Sequence, residues 1–155
     1  MKTILFLMCM FLLSCTNTKP NDNSGITEEE KEIAKNLIQG AFDDLWAGVD
    51  STKILTYHTD DFVILENGEV WNNNRIKKFM RKQLADKDRA KRINIMDYFS
   101  IEKYGPSIQI AYHNKAEFYN QDTIVSKESW LESALAVKTS EGWRLKMMHS
   151  TWNGK

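Results

Sequence analysis

The C-terminal part of the chain alternates apolar and polar residues with a period of two, and this alternation limits the fold more than any other feature. Four such segments follow one another from about Arg89 to Trp152. Turn signals separate them at residues 105–106, 120–122 and 141–142. A period of two is that of β-strands, and long strands joined by short turns are typical of an antiparallel sheet. The sequence predicts four long antiparallel strands in succession.

The preceding part of the chain has helical spacing instead. Thr27 and Glu30 have the spacing of a capping box, and apolar residues then recur every three or four positions as far as Gly48. A short second helix, a strand at residues 62–65 and a third helix from residue 72 follow. The order helix, helix, strand, helix and four strands predicts an α+β fold, with helices layered against an antiparallel sheet.

The first fifteen residues have the pattern of an export signal. Lys2 precedes an apolar run of about ten residues, which is too short to span a bilayer. The run ends in Leu12-Leu13-Ser14-Cys15, which resembles the lipobox of bacterial lipoproteins. The resemblance implies cleavage before Cys15 and lipid on that cysteine, with anchoring in the lipid bilayer on the periplasmic or surface side of a bacterial cell envelope. The alternative is an ordinary signal peptide followed by an incidental cysteine.

These features divide the chain into three parts. We expect a signal peptide at residues 1–14, a lipidated cysteine with a polar, flexible tether at residues 15–26, and one domain at residues 27–155. The whole chain has 155 residues, 42% of them hydrophobic, which is typical of a globular domain with a single core. No internal repeat or further domain boundary is visible.

Charge and residue types exclude several function classes. Lys and Arg together number 21, as do Asp and Glu, so no net charge favours a nucleic-acid partner. Both cysteines lie within the first fifteen residues, so the domain has no thiolate for catalysis or metal binding. The three histidines are scattered, and no glycine-rich phosphate loop is present. We therefore expect neither a metal nor a cofactor.

Three short motifs occur along the predicted elements in a characteristic order. They are Trp46-Ala47-Gly48-Val49-Asp50, Tyr57-His58-Thr59-Asp60-Asp61-Phe62, and Gly142-Trp143-Arg144-Leu145 followed by His149-Ser150. With this order, residues 27–152 resemble the nuclear transport factor 2-like superfamily, in its SnoaL-like and ketosteroid-isomerase-like branch. The resemblance implies a cystatin-like cone: a strongly curved antiparallel sheet wrapped around three N-terminal helices, with an open-ended pocket. Members include enzymes and non-catalytic binding or assembly modules, so this fold does not decide the function.

Strand parity gives candidate pocket residues. On the last strand, Trp143, Met147 and His149 share the more apolar face, which we expect to point inward. On the first long strand, Asp97 shares a face with isoleucines and is expected inward as well. A buried carboxyl has a raised pKa, so Asp97 and His149 are candidate acids or bases. The alternatives are a hydrogen-bonded core histidine, and an Asp97 that pairs with an arginine or is turned outward by a bulge.

Other residues complete the predicted pocket and a predicted interface. Tyr112 and Asn114 share the inward face of the second long strand, and Tyr57 of the second helix is a further expected ligand contact. Trp130 is expected on the outer sheet face, together with Trp152, where superfamily members commonly form dimers. The alternative is that neighbouring side chains shield both tryptophans.

Glu66 is weighed separately because the resemblance places a catalytic base near it. It lies five residues after Asp61, in a turn, where ketosteroid isomerase carries its catalytic aspartate. The same resemblance places an oxyanion-stabilising tyrosine near Ala41 and Phe42, and no hydroxyl occurs there. Loss of that donor argues against steroid-isomerase chemistry.

The third helix has one basic side, formed by Arg75, Lys77, Lys78, Arg81 and Lys82. We expect a solvated face there, with an anion or lipid-headgroup patch as the alternative.

The expected function is that of an envelope-anchored lipoprotein whose pocket binds a small, partly apolar molecule without catalysis. One alternative is a SnoaL-like isomerase, cyclase or dehydratase that transfers protons through Asp97, His149 or Glu66. The other is a protein-interaction module of the cell envelope that forms a homodimer.

Overall fold

The structure is a computed structural model that describes residues 25–154. The predicted signal peptide and Cys15 lie outside the described residues. The helical elements are α1 (Glu28–Ala41), a π-helical segment (Phe42–Ala47), a 3₁₀ turn (Ser51–Lys53), α2 (Ile54–Tyr57) and α3 (Asn73–Ala85). The strands are β1 (His58–Glu66), β2 (Glu69–Asn72), β3 (Lys91–Tyr104), β4 (Ser107–Asn120), β5 (Thr123–Thr139) and β6 (Gly142–Trp152). Within residues 25–154, no helix is long and apolar enough to cross a membrane.

The six strands form one sheet in the order β2-β1-β6-β5-β4-β3. Every neighbouring pair is antiparallel except β1 and β6, which are parallel. The predicted α+β architecture is confirmed, but the sheet is mixed. Strand β2 was not predicted. It arises because Asn67 and Gly68 both adopt positive φ and form a tight hairpin turn after β1.

Helix α1 forms where its cap and its apolar stripe predict. The Glu30 amide donates to Thr27 Oγ1 over 3.1 Å, and the Thr27 amide donates to Glu30 Oε2 over 3.2 Å. One face of the helix is buried in the core through Ala34, Leu37, Ile38 and Ala41. The capping box and this stripe anchor the helix against the sheet.

The helix then continues as the π-helical segment, which places two aromatic rings over the sheet. The Gly48 amide donates to the Asp43 carbonyl, five residues earlier, over 2.7 Å. This wider turn is the hallmark of π-helical geometry, which is frequent at functional sites. Phe42 is buried and Trp46 is half-buried along this segment.

A bulge in β6 decides which residues of that strand face the core. Ala136 pairs with Leu145 whereas Leu135 pairs with Met147, so Lys146 is an extra residue. The bulge reverses the alternation. Trp143 and Leu145 are buried before it, and Met148 and Ser150 after it. The prediction that Met147 and His149 point inward was wrong for this reason.

Strand β3 is turned opposite to the prediction. Asn94 is buried and Arg92, Met96 and Tyr98 are half-buried on the inner face, while Asp97 is exposed. Asp97 lies opposite His113 of β4 on the outer face. The expected inward orientation of Asp97 was wrong because the outer face of the sheet is also apolar, so the more apolar row does not identify the inside.

The outer face carries what we call the outer apolar patch. Its members are exposed by 38% to 59% of their surface. They are Leu65, Ile95, Phe99, Leu131 and Met147. A sheet face of this kind is typical of an interaction surface.

Candidate functional site

A cavity of about 220 Å³ lies between the inner sheet face and the helical layer. The π-helical segment, α3 and five of the strands contribute to it. Its lining residues are Phe42, Trp46, Ile64, Glu66, Asn67, Trp71, Phe79, Arg92, Trp130, Glu132 and Ser150. Six of these eleven residues are aromatic or aliphatic and five are polar or charged, and small-molecule pockets commonly combine apolar walls with polar groups of this kind.

Three aromatic rings from three elements form one wall, which we call the aromatic wall. Phe79 of α3 lies 5.8 Å from Trp46 of the π-helical segment and 5.5 Å from Trp71 of β2, between ring centroids. The rings are tilted against each other, as aromatic pairs prefer. The wall depends on the unpredicted strand β2, because this strand supplies Trp71.

Glu132 of β5 is the most deeply buried charged group of the cavity. Ser150 Oγ donates to its Oε1 over 2.9 Å, and Asn114 Nδ2 donates to its Oε2 over 3.3 Å. Burial raises the pKa of Glu132 to about 7, although the bonds from Ser150, Tyr112 and Asn114 and the charge of Arg92 oppose the shift. Near neutral pH this carboxyl both holds and releases a proton.

Glu66 is the last residue of β1 and lines the same cavity. Asn67 Nδ2 donates to its Oε1 over 2.8 Å. Burial raises the pKa of Glu66, while the Ser150 hydroxyl and the positive charge of Arg92 act in the opposite direction. The cavity therefore holds two carboxyls whose charged forms are both disfavoured.

Arg92 of β3 is the cation of the cavity. Its Nε donates to Asn94 Oδ1 over 2.7 Å, which directs the guanidinium across the inner face. The guanidinium carbon lies 4.9 Å from the Trp130 ring centroid and within 5.7 Å of the rings of Phe42 and Phe118. Burial lowers the pKa of Arg92, and the charges of Glu132 and Glu66 counteract this. An arginine in such surroundings stays charged.

Comparison with known proteins gives a fold and no closer relationship. The sequence matches no protein-family model and no curated protein. An NTF2-like protein from Cytophaga hutchinsonii superposes with a TM-score of 0.64 at 9% identity, covering 82% of this chain and 99% of the other. The chain has the nuclear transport factor 2-like fold.

Two further structures extend this likeness. A ketosteroid isomerase-like protein from Erwinia carotovora atroseptica gives a TM-score of 0.61 at 14% identity, with 83% of this chain and 100% of the other covered. The CaMKII hub homology domain of Chlamydomonas reinhardtii gives 0.70 at 15% identity, with 80% and 98% covered. The predicted resemblance is confirmed for the nuclear transport factor 2-like fold, which hosts different functions.

The predicted catalytic set does not come together in this nuclear transport factor 2-like fold. Of its three residues, only Glu66 lines the cavity. Asp97 and His149 are exposed on the outer face, and Met147, an expected ligand contact, is 40% exposed there. A shared proton-transfer site for Asp97 and His149 is therefore excluded by their position.

The remaining predicted ligand contacts lie inside the domain but outside the cavity lining. Tyr112 and Asn114 are fully buried on the inner face, as expected, and lie beneath Glu132. Trp143 is buried in the core, and Tyr57 donates its hydroxyl to Asp44 Oδ2 over 2.6 Å. These four residues support the fold around the cavity.

The predicted tryptophan interface is wrong for one of its two residues. Trp130 lines the cavity and stacks on Arg92, because the apolar row of Leu131 faces outward and turns Trp130 inward. Trp152 is 55% exposed near the end of β6 and donates its indole N–H to Glu128 Oε2 over 2.8 Å. Trp152 remains compatible with a contact surface.

Sequence reasoning missed the residues that give the cavity its chemistry. These are Arg92, Glu132 and the rings of the aromatic wall. One signal was present: Glu132 and Trp130 share a strand face with Ala134, and small residues on a strand are typical of positions under a closely packed helix. Within residues 25–154, no cluster of three or more histidine, aspartate or glutamate side chains is arranged to hold a metal ion.

Proposed function

We propose that this domain binds a small, partly apolar molecule in the cavity behind the aromatic wall. The observation that carries the proposal is the cavity itself: about 220 Å³ of space with aromatic sides and a polar end formed by Glu66, Arg92 and Glu132. A core without a ligand role would be filled by side chains, because protein interiors pack to crystal-like density. The polar end of the cavity can orient a ligand, and its aromatic walls can bury the apolar part of that ligand.

Mass spectrometry under native conditions tests the proposal. The protein is purified without added ligand, and its mass is compared before and after denaturation to detect a retained small molecule. Phe79→Ala removes the central ring of the aromatic wall and should lower retention about tenfold, since one buried aromatic contributes on the order of 1.5–3 kcal/mol. Phe99→Ala, on the outer apolar patch, is the matched control and should retain the molecule. Equal retention by both variants would place the ligand elsewhere.

The protonation state of Glu132 favours one further function, a proton-transfer reaction on the bound molecule. A general acid or base works best with a pKa near the working pH, and the pKa of Glu132 is about 7. Exchange of the methyl protons of acetophenone in deuterated buffer, followed by NMR, tests this activity. The wild-type protein should accelerate the exchange and Glu132→Gln should not. Equal rates for both proteins would leave binding alone as the function.

We also propose that lipid on Cys15 anchors the domain to a membrane. The support is the sequence Leu12-Leu13-Ser14-Cys15 after an apolar run. When the chain is expressed in a bacterium fed labelled palmitate, the protein should take up label and sediment with membranes. Cys15→Ser should remove both properties, whereas Cys9→Ser, inside the predicted signal peptide, should retain them. Membrane sedimentation of unlabelled Cys15→Ser would contradict the anchor.

Self-association is proposed for the outer apolar patch. The patch is exposed in a single chain, and similar folds include the CaMKII hub homology domain. Met147→Glu puts a charge in the patch and should shift sedimentation velocity profiles from dimer to monomer. Leu55→Glu, at an exposed position of α2, is the control. A wild-type protein that sediments as a monomer at about 100 μM would overturn this proposal.

A further inference from the structure

The Arg92 guanidinium has hydrogen-bonding capacity that the described protein does not use. Among residues 25–154, its one hydrogen bond runs from Nε to Asn94 Oδ1. Neither terminal nitrogen has a hydrogen-bond or ion-pair partner in that part of the chain. The two terminal nitrogens carry four N–H donors in one plane. Neither terminal nitrogen is among the fully buried unpartnered atoms of the described residues, so both can be reached by an acceptor on a ligand.

The two glutamates of the cavity do not fill this role. The Glu132 carboxylate is held by Ser150 on one oxygen and by Asn114 on the other. Glu66 accepts from Asn67. In the described residues, neither carboxylate lies within 4.0 Å of an Arg92 nitrogen. Both oxygens of Glu132 and one oxygen of Glu66 thus accept from other groups of the protein, whereas the terminal donors of Arg92 are free.

A basic groove lies on the other side of the aromatic wall. Arg75, Lys78 and Lys82 of α3 line a groove that shares Trp71 and Phe79 with the cavity. Helix α3 contains no acidic residue. Its positive potential attracts anions towards the aromatic wall and repels cations. The positive charge of α3 is a separate observation from the geometry at Arg92, and both favour an anionic ligand.

We propose that the ligand is a small monocarboxylate with an apolar, ring-sized body, and that its carboxylate pairs with the terminal nitrogens of Arg92. This inference rests on the proposed binding function and names the chemistry of its ligand. A carboxylate matches the planar fork of a guanidinium with two parallel hydrogen bonds. A phosphate would bring a second negative charge beside Glu66 and Glu132, which disfavours it.

The size of the cavity limits the body of the ligand. A volume of about 220 Å³ equals the liquid volume of roughly seven water molecules. A benzoate-sized molecule fills such a space and stacks against Trp46, Trp71 and Phe79. Benzoate is therefore the probe of choice. Benzamide is its neutral isostere, and benzylamine is its cationic counterpart.

Titration of the purified full chain with the three probes, followed by ligand-observed NMR and calorimetry, tests the inference. Benzoate should bind at least about tenfold more tightly than benzamide, and benzylamine should bind more weakly than either. Arg92→Gln should weaken benzoate binding by at least about tenfold and leave benzamide binding unchanged. Arg144→Gln, on β6 beside the Leu55 carbonyl, is the matched control and should bind benzoate like the wild-type protein.

The outcomes separate this inference from the proposed function. Benzamide or benzylamine binding in the cavity, with benzoate weaker, overturns the carboxylate assignment and leaves the binding function intact. The carboxylate assignment is also overturned if Arg92→Gln binds benzoate like wild type while keeping its melting temperature. No binding of any probe at about 10 mM overturns both.

The pH dependence of benzoate binding gives a second readout. The charged groups that share a pocket lining with Arg92 are Glu66, Asp86, Asp88, Arg89 and Glu132, and Tyr112 lies beside Glu132. Burial raises the pKa of Tyr112 well above its ordinary value, so this hydroxyl stays neutral. As pH falls from about 8 to 6, Glu132 gains a proton and its repulsion of a bound carboxylate disappears. Benzoate affinity should rise over this range, and the rise should be smaller in Glu132→Gln.

Discussion

Two buried side chains of this domain respond to pH in opposite directions. Glu132 has a pKa raised to about 7 by burial. His58 is 2% exposed and stacks on Phe62 at 3.7 Å between ring centroids. Its Nδ1–H donates to Asn73 Oδ1 over 3.0 Å. Burial lowers its pKa to about 4. Burial thus favours the neutral form of both Glu132 and His58.

These shifts predict opposing contributions to stability. The folded pKa of Glu132 exceeds its unfolded value near 4.5, so its contribution is full at low pH and is lost as pH rises to about 7. The folded pKa of His58 lies below its unfolded value near 6.5, so its contribution is full above that pH and is lost as pH falls to about 4. Each contribution amounts to about 3 kcal/mol. The two contributions offset each other in the pH range where both groups change protonation.

Single substitutions should expose each slope. In Glu132→Gln, the free energy of unfolding should fall by about 3 kcal/mol from pH 6.5 to 4, because Glu132 no longer offsets the contribution of His58. In His58→Phe, it should fall by about the same amount from pH 4.5 to 7. Urea unfolding at a series of pH values measures both slopes, and the exposed-site variant His149→Gln should keep the wild-type profile. If the two buried-site variants lost stability in the same pH direction, the opposite pKa shifts of Glu132 and His58 would be contradicted.

The sequence does not reveal these residue-scale properties. Glu102 and Glu132 both stand in alternating strand segments, yet Glu102 is exposed and Glu132 is buried. Their environments differ because other strands and the helical layer cover only one of them. Burial of a charged residue depends on tertiary packing, which a local pattern does not contain.

At the scale of elements, the β6 bulge determines the inner face of the last strand. Met147 and Met148 are adjacent and chemically identical, but Met148 is 1% exposed and Met147 is 40% exposed. Met148→Ala should lower the free energy of unfolding by about 2–5 kcal/mol, since it leaves a cavity in the core. Met147→Ala should cost less than about 1 kcal/mol. Chemical denaturation of the two variants measures the difference, and equal losses would place the bulge elsewhere.

The types of the elements could be predicted from the sequence, but the inward faces of the strands and their pairing partners could not. The capping box at Thr27 and the alternation after Arg89 locate α1 and the four long strands. A bulge of one residue cannot be recognised in the sequence of a strand that has apolar residues on both faces. The prediction that His149 points inward was wrong for this reason. The pairing of β1 with β6 joins segments more than eighty positions apart, and short-range spacing carries no information on it.

At the scale of the whole molecule, truncation can test the predicted start of the domain at Thr27. Ile26 packs against the core, and Thr27 closes the capping box with Glu30. A chain beginning at Gly25 should match the full chain in free energy of unfolding to within about 0.5 kcal/mol. A chain beginning at Lys31 loses the contact and the cap and should be less stable by about 2–4 kcal/mol. Urea denaturation compares them, and equal stability of the two truncated chains would move the boundary.

The parallel pairing of β1 with β6 has a consequence for the order of assembly. Glu66 meets Ser150 across this pair, so one side of the cavity is supplied by the first strand and the other by the last. Contacts between such distant segments close a long loop, and folds rich in them form slowly. During synthesis, β1 can pair with β2 early, but it cannot pair with β6 until residues 142–152 have left the ribosome. The cavity is therefore among the last parts of the domain to form.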